Sequence, residues 1–557
     1  MIWKKTKIKF HILAIFCIVI FCFALTPVTF QNDTYYTIAI GEHIMKTGEV
    51  DMQDPFSWHE DLPYTYPHWA YDVGTYLVFE LGETLGIGGF GTLYIATILL
   101  AMILGITIYI ANCKLCKNPL VSFFVTMGIL YLLKDFIAAR AQLVTFILFA
   151  LTILFIEQFL KTRKTRYAVY LVIIPILIAN LHCAVWPFYF VLYLPYIAEY
   201  LLVVISDANL YYWFKIKWKQ RKLKKVTKKA NLEAIGKLQE DIAHLQLEKQ
   251  TSLEKAQKRR ENAYKIIFKK DEAVKWLIVI MLICTLTGFL TPLGTTPYTY
   301  LIKTVQGNTM DSISEHQPLT LINNTPMLLT FILYILLLIF TDTKARLRDF
   351  FMLGGLTLLT FMSRRQASLF AIIAGFIFAK LVSSLFEKYD KEGTKPVMEF
   401  MTSMLGKIFT ILVVIFVSFI LYKGKIGNAF VNPKSYPIEA SNYILENIDI
   451  ENMHLFNEYN YGSYLLFRGI PVFIDSRADL YAPEFNGTEN QEGRDIFTDY
   501  MNISNLSTYY ENQFEKYDIT HVITGKRTKL NMFLSRDDHY KELYADDNFV
   551  VYERDAN

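Results

Sequence analysis

The sequence predicts a polytopic α-helical membrane protein with a helical insert on the cytoplasmic side and an α/β domain at its C-terminal end. The chain is 53% hydrophobic and 19% charged over 557 residues, which is more apolar material than a soluble domain buries. The apolar residues come in blocks of about 18 to 22, the length of a helix that crosses a bilayer. Two segments, 213–275 and 424–557, break this pattern, so we expect them to fold outside the bilayer.

The apolar blocks predict about 11 membrane spans, with an error of about two because some blocks are short and share turns. The predicted spans lie near residues 10–30, 90–112, 119–135, 142–160, 167–182, 187–206, 275–292, 326–341, 351–363, 366–384 and 406–423.

Loops rich in Lys and Arg alternate with loops that are poor in them, and the basic loops are expected to face the cytoplasm. The N-terminus, residues 161–166 and residues 215–275 are basic. We therefore predict a multi-pass protein of the cell membrane with a cytoplasmic N-terminus and an extracytoplasmic C-terminal domain. The predicted parts are a first membrane half (1–212) with an outer loop (31–89), the insert (213–275), a second membrane half (276–423) and the C-terminal domain (424–557).

The insert 213–275 holds 19 Lys or Arg against 8 Asp or Glu. Four of its apolar residues have heptad-like spacing, which predicts a helical hairpin or short coiled coil: Ile235, Leu238, Ile242 and Leu245. Two roles stay open for it. It could dock a cytoplasmic partner or anionic lipid headgroups, or it could be a solvated connector between the membrane halves. Nucleic acid is not expected as a partner, because no nucleic-acid-binding motif accompanies the charge.

The segment 424–557 alternates short apolar strands with helices, which predicts an α/β domain of two or three layers. A helix is expected to begin near Pro437. The predicted strands, rich in aromatic and β-branched residues, are 454–457, 471–475, 519–524 and 549–552.

The outer loop 31–89 concentrates acidic, His, Trp and Tyr residues next to the first span. Asp33 follows that span closely. A carboxylate there can accept a proton from an acceptor hydroxyl or hold a divalent cation that bridges a phosphate. The alternative is a cap of the following helix, a position that Asp favours.

Ionisable residues also stand at the outer ends of later spans, where they are costly and therefore usually functional. These candidates are Arg140, His182, Glu315, His316, Arg364 and Arg365. Arginines are disfavoured on the outer side, and a bound anion such as phosphate would explain all three, since guanidinium groups bind phosphate bidentately. The alternative is ion pairing within the fold, with Asp33, Asp54 or Glu315.

These residues together resemble bacterial GT-C glycosyltransferases, polytopic enzymes that include protein O-mannosyltransferases and aminoarabinose transferases. The resemblance rests on Asp33, the turn Asp54-Pro55-Phe56-Ser57-Trp58 and the element Pro67-His68-Trp69. Segments around His182, Glu315 and Arg364-Arg365 follow in the expected order. The resemblance covers nearly the whole chain except the insert, and it is to a superfamily rather than to one activity.

The resemblance implies transfer of a sugar from a polyprenyl-phosphate donor to a glycan, lipid or protein acceptor at the outer membrane face. Asp33 would act as general base or orient the acceptor, and Asp54 or Asp51 would be the second acid. Arginines would offset the charge of the donor phosphate, with Arg140, Arg364 and Arg365 as candidates. His68, His182, Glu315 and His316 are further active-site candidates. No cofactor is certain, and a divalent cation (Mg or Mn) is left open because metal dependence varies across the superfamily.

Three other functions stay open from the sequence. A transporter or flippase of lipid-linked sugars would need mid-span polar residues and repeat symmetry. A polysaccharide polymerase or ligase would share the chemistry but use another acceptor. A non-enzymatic scaffold would act through the insert 213–275.

Overall fold

The computed structural model describes residues 2–227, 232–307, 313–488 and 492–555, most of which are helical. The α-helices of the membrane part and insert are α1 Ile2–Leu25, α2 Asn32–Thr47, α3 Trp69–Thr84, α4 Gly89–Cys116, α5 Pro119–Leu132, α6 Ala141–Thr162, α7 Thr165–Leu181, α8 Trp186–Val191, α9 Leu194–Ala208, α10 Leu210–Thr227, α11 Leu232–Glu261, α12 Val274–Cys284, α13 Thr296–Gln306, α14 Thr325–Phe340, α15 Leu347–Met362, α16 Ala367–Tyr389, α17 Thr394–Thr402 and α18 Met404–Tyr422. Those of the C-terminal domain are α19 Ile438–Asn447, α20 Tyr459–Phe467, α21 Pro483–Asn486, α22 Ile496–Asn505, α23 Tyr510–Lys516 and α24 Lys529–Leu534. The strands are β1 Ile266–Ile267, β2 Ala345–Arg346, β3 Leu455–Phe456, β4 His521–Gly525, β5 Tyr540–Ala545 and β6 Phe549–Arg554.

Within the described residues, 6 helical segments are long and apolar enough to cross a bilayer. They are Lys5–Leu25, Gly89–Cys116, Ala141–Thr162, Cys183–Asp207, Arg364–Tyr389 and Met404–Lys425. Shorter apolar helical segments are Pro119–Leu132, Thr165–Leu181, Val274–Phe289 and Thr325–Phe340. Every predicted block falls on a helix, so the helical, multi-pass architecture is confirmed, while the span count of 11 stays a prediction.

A close contact between α1 and α4 organises the first membrane half. A Cβ placed on Gly105 of α4 would lie 2.8 Å from Ile18 Cγ2 and 2.9 Å from Cys22 Sγ, both on α1. A side chain larger than hydrogen would therefore push the two helices apart. Because such tightly filled interiors resist added volume, Gly105 fixes how closely the first span approaches the bundle.

A buried ionic cluster toward the C-terminal end of α6 joins the two membrane halves. Glu157 binds Arg348 at 2.7 Å and Lys380 at 3.0 Å. Nearby, Glu199 of α9 binds Arg346 at 2.8 Å. Buried charges persist only when they are paired, so these contacts lock α15 and α16 against α6 and α9.

The insert contains α10 and α11, which pack as an antiparallel hairpin, while its residues 228–231 lie outside the described ranges. Near the base, Asn209 Nδ2 donates to Ser252 Oγ at 2.8 Å. Farther along, Lys219 pairs with Asp241. Two of the four heptad-spaced residues, Ile242 and Leu245, are buried.

A four-stranded mixed sheet with the order β3-β4-β6-β5 forms the centre of the C-terminal domain. β3 and β4 are parallel, and the other pairs are antiparallel. The strands predicted at 454–457, 519–524 and 549–552 correspond to β3, β4 and β6. β5 was not predicted, because Lys541 and Glu542 are exposed on this edge strand and break the apolar pattern.

The strand predicted at 471–475 is wrong. Its backbone bonds to side chains and to the outer loop instead of to a neighbouring strand. Phe473 N donates to Asn457 Oδ1 at 2.8 Å, and Ser57 Oγ donates to Val472 O at 3.0 Å. The apolar pattern of this segment reflects burial at the interface between the outer loop and the C-terminal domain.

A buried guanidinium clamps that interface. Arg477 Nη1 bonds Asp54 Oδ1 at 2.5 Å, and its Nε and Nη2 bond Asp475 at 2.8 and 2.6 Å. The three side chains are at most 2% exposed. Tyr481 donates to Asp475 at 2.6 Å, and Ser57 N donates to Asp54 at 2.8 Å. Each buried charge therefore has the partners that make its burial tolerable.

Replacing Arg477 by Met should strongly destabilise the protein, because two buried carboxylates lose their counter-charge. Breaking a buried ionic contact in this way costs about 3–5 kcal/mol. The loss is measured as a decrease in the midpoint of thermal unfolding of the detergent-solubilised chain, with gel filtration as the readout.

Asp54→Asn should cost less, since Arg477 and Asp475 remain a balanced pair. The control is Lys541→Ala, which removes an exposed contact of 3.7 Å to Glu553 and should leave the midpoint unchanged. A wild-type midpoint in the Arg477→Met variant would contradict the clamp.

Candidate functional site

A cavity of about 680 Å³ lies between the ends of the membrane helices and the C-terminal domain. Its polar side chains include those at the starts of α2 and α6 and in residues 313–316 and 476–480. Its apolar side chains come from α8, α13 and α15 and include Phe188, Leu301, Val305, Leu359 and Met362. The cavity therefore offers polar and apolar surface together.

An acid–arginine cluster lines this cavity. Asp33, in the first turn of α2, pairs with Arg140, which directly precedes α6. Arg140 Nη1 also binds Glu315 Oε1 at 3.1 Å. Ion pairing within the fold, one of the two interpretations of Arg140, is thus present. Gln31 occupies the cap position of α2, so Asp33 is not the cap.

The charges in this cluster support one another. Although burial lowers it, the pKa of Arg140 is raised overall by Asp33 and Glu315. Burial raises the pKa of Glu315, but Arg140 and Arg365 outweigh it and lower the value below its ordinary one. Glu315 is therefore ionised, and the guanidinium of Arg140 is committed to two carboxylates.

The adjacent residues Arg364 and Arg365 have different surroundings. Arg365 lines the cavity, and its guanidinium makes no hydrogen bond or ion pair with any residue that the structure describes. Arg364 is not part of the cavity lining, and its Nε donates to Pro318 O at 3.3 Å. The amides of Arg364 and Arg365 donate to Gln317 O at 3.0 Å and to Glu315 O at 3.1 Å, which ties the two segments together.

His68 is held between an acid and a phenol. Its Nδ1 lies 2.6 Å from Asp72 Oδ1, and its Nε2 lies 3.0 Å from Tyr36 OH. Asp72 is fully buried, and this burial raises its pKa although His68 opposes the shift. Asp72 and Tyr36 were not among the site residues predicted from the sequence. The available signal was the four-residue separation of His68 and Asp72 at a helix start, which places both on one face.

His182 and His316 line the cavity as neutral imidazoles. Burial, assisted by the charge of Arg365, lowers the pKa of His182 well below its ordinary value, and His182 Nδ1 lies 2.8 Å from Thr145 Oγ1. Burial and Arg365 also lower the pKa of His316, to about 4. At neutral pH both rings can therefore exchange hydrogen bonds with a ligand without adding positive charge.

Asp479 contributes a further acid that was not predicted from the sequence. It lines the cavity and accepts a hydrogen bond from Tyr300 of α13. Burial raises its pKa, and Tyr300 and Arg365 oppose that shift. Its place in the cavity depends on how the C-terminal domain docks, which local spacing does not encode.

The structure gathers most, but not all, of the predicted site residues. The cavity lining includes Asp33, His68, Arg140, His182, Glu315, His316 and Arg365. Arg364 is directed elsewhere. Asp54 is also outside the lining, because Arg477 and Ser57 N occupy its two carboxylate oxygens.

The donor set for a divalent cation is incomplete within the described part of the chain. No group of three or more His, Cys, Asp or Glu side chains converges there as a metal site requires. Asp33 and Glu315, two acids of the cavity, both bind Arg140 instead. Among the described residues, these two acids of the cavity are therefore engaged by a guanidinium rather than grouped as ligands for Mg or Mn.

The chain shares its fold with archaeal oligosaccharyltransferases of known structure. It is similar to AglB from Archaeoglobus fulgidus in complex with an inhibitory peptide and a dolichol-phosphate, with a TM-score of 0.53 and 13% identity over 95% of this chain and 70% of that one. The apo form of the Archaeoglobus fulgidus enzyme gives a TM-score of 0.54 and 12% identity over the same shares of the two chains. A form tethered to an acceptor peptide containing the NVT sequon gives 0.51 and 12% identity over 92% of this chain and 69% of that one.

No family model and no curated protein matches the chain. At 12–13% identity the structural similarity establishes the fold alone, so membership of the GT-C superfamily stays a prediction. The bacterial branch named by the sequence resemblance stays a prediction.

Replacing Arg140 by Gln should lower stability, because Asp33 and Glu315 then face each other without a cation. The double variant Arg140→Gln/Glu315→Gln should recover part of that loss. We expect an interaction energy of about 0.5–3 kcal/mol from a double-mutant cycle on thermal unfolding. Strictly additive effects would show that Arg140 and Glu315 are not coupled.

Proposed function

We propose that the chain is a membrane glycosyltransferase that moves a sugar from a polyprenyl-phosphate-linked donor to an acceptor beside its C-terminal domain. The observation that carries this proposal is one cavity that holds the acid–arginine cluster of Asp33, Arg140 and Glu315 together with the guanidinium of Arg365, which pairs with no acid among the described residues. An acid for the acceptor and a cation for the leaving group are what sugar transfer needs. The shared fold with oligosaccharyltransferases supports the same reaction class.

The composition of the cavity wall suits an amphipathic donor. Leu359 and Met362 lie at the end of α15, a few residues before Arg365, and all three line the cavity. An isoprenoid chain could contact these apolar side chains while its phosphate reaches the guanidinium. One of the similar structures contains a dolichol-phosphate, which belongs to the lipid class that we propose here.

We assign binding of the donor phosphate to Arg365. Transfer breaks the bond between the anomeric carbon and the phosphate oxygen, so negative charge develops on the departing phosphate. A guanidinium can bind two phosphate oxygens at once. Arg140 is already committed to two carboxylates, and His182 and His316 are neutral, so Arg365 supplies the available positive charge.

We assign the acceptor to the side of Asp33. Asn32 Nδ2 donates to Tyr459 O at 2.8 Å, which fixes the start of α2 against the C-terminal domain. An acceptor that enters along this domain would pass Tyr459 and Asn460, which line the cavity, and meet Asp33. Asp33 would then take the proton of the attacking group or orient it, while Arg140 holds the carboxylate in place.

A polypeptide is the first acceptor class to test, because one similar structure is tethered to an acceptor peptide. Glycans and lipids are the other classes. The basic loops support an outward-facing site, with the N-terminus in the cytoplasm and the C-terminal domain outside the cell membrane.

Arg365→Gln should weaken binding of a polyprenyl phosphate by roughly 10- to 100-fold, the value of a charge-assisted hydrogen bond. The adjacent Arg364→Gln is the matched control and should bind like wild type, because Arg364 lies outside the cavity lining. Native mass spectrometry of the purified variants with added undecaprenyl phosphate measures both. Equal losses in the two variants would remove Arg365 from its assigned role.

Asp33→Asn should abolish transfer while folding and binding of polyprenyl phosphate remain normal, since the amide cannot accept the acceptor's proton. Mass spectrometry of envelope glycans and lipid-linked sugars tests this in cells that lack the protein and carry wild type or the variant. We expect one glycan to disappear and its sugar to accumulate on the lipid carrier unless wild type is present.

The same experiment separates the competing functions. If the protein is a flippase, cells that lack it should keep the lipid-linked sugar on the cytoplasmic leaflet, where an impermeant glycan-modifying reagent cannot reach it. Full restoration by Asp33→Asn would refute the catalytic assignment, and a scaffold would then be tested by deleting the insert 213–275.

A further inference from the structure

The helix α10 carries an aromatic row that the rest of the described chain does not cover. Tyr211, Phe214 and Trp218 follow one another at intervals of three and four residues, so they lie on one helix face. Their exposed fractions are 60%, 62% and 61%. The half-buried residues of α10, among them Ile216, Lys219 and Leu223, lie on a different face, and Lys219 of this face pairs with Asp241 of α11.

The charge of the hairpin is concentrated on the same helix. Within Leu210–Thr227 there are seven Lys or Arg and no Asp or Glu, whereas Leu232–Glu261 contains six of each sign. A mixed-charge surface is what solvation alone requires. A helix that is basic throughout and also exposes three aromatic rings has the composition of an interfacial membrane helix.

The position of Trp218 distinguishes between two arrangements of α10, one in which it lies in the membrane interface and one in which it extends into water. α10 begins directly after α9, which belongs to the apolar segment Cys183–Asp207, and only Asn209 in a left-handed conformation separates the two helices. Aromatic residues at a span end, such as Tyr211, are expected at headgroup depth in either arrangement. Trp218 lies about 10 Å farther along the helix than Tyr211 and would be in bulk water if α10 projected away.

Lysines flank these rings in the way that snorkelling requires. Lys215 Nζ lies 4.2 Å from the ring centroid of Tyr211, and Lys222 Nζ lies 5.1 Å from that of Trp218. With the rings at the acyl boundary, the ammonium groups next to them reach the headgroup layer.

We propose that the face Tyr211–Phe214–Trp218 of α10 rests on the bilayer surface at the end of the membrane helices opposite the cavity, with its lysines bound to anionic phospholipid headgroups. Because α10 is basic, it should bind a bilayer surface with anionic phospholipids more strongly than a zwitterionic one. The inference depends on α9 being a membrane helix and is independent of the reaction at the cavity. Its consequence is that the hairpin lies along the membrane rather than extending from it.

Hydrogen exchange of the full-length protein in nanodiscs tests the proposal. One set of discs contains phosphatidylcholine alone, and the other contains equal parts of phosphatidylcholine and phosphatidylglycerol. The amides of α10 should exchange about tenfold more slowly in the anionic discs, since membrane contact opposes local opening, and high salt should remove the difference. Equal exchange in the two kinds of disc would overturn the proposal.

The variant Tyr211→Ser/Phe214→Ser/Trp218→Ser should lose this protection. The matched control is Leu247→Ser, which removes an apolar side chain that is 64% exposed on α11 and should retain it. Should the triple variant not fold, Lys217→Gln/Lys222→Gln/Lys224→Gln replaces it and should lose the response to phosphatidylglycerol. Loss of protection in Leu247→Ser would contradict the proposed lipid contact. So would protection of α10 that appears only after an acidic cytoplasmic protein is added.

Discussion

The buried guanidinium of Arg477 is the contact on which the site depends. It holds Asp54 of the outer loop and Asp475 of the C-terminal domain, two residues that are far apart in the chain, in a place with almost no access to water. Such charges are tolerated only while they remain paired. The clamp therefore helps to hold the domain over the loop, and the cavity lies beside the surfaces that it joins.

Pairing of arginines with acids within the fold also determines the electrostatic character of the cavity. Three arginines line it, and two of them, Arg140 and Arg477, are already neutralised by acids within the fold. Arg365 is different among the described residues, because no carboxylate binds it. Whether an arginine of the cavity is paired or available depends on how the chain packs. It cannot be predicted from residue type alone.

Local patterns predicted the apolar membrane helices, three of the four strands in the C-terminal sheet and seven of the cavity residues, because apolar blocks and polar span ends are visible in the sequence. They could not distinguish Arg364 from Arg365, since one backbone turn directs the two side chains differently. They did not reveal the partner of Asp54, the location of Asp479 or the interface role of 471–475. Each of these depends on contacts between distant segments, which spacing does not record.

The arrangement of the cavity also implies separate directions of entry for the two proposed substrates. Arg365 stands beside the apolar end of α15, where a lipid would enter from the bilayer. Asp33 stands where α2 meets Tyr459 of the C-terminal domain. A lipid-linked donor and a water-borne acceptor would thus reach the same cavity from different phases. The domain clamped by Arg477 would close the aqueous side, so under the proposed function its docking would define the acceptor entrance, and the membrane helices would define that of the donor.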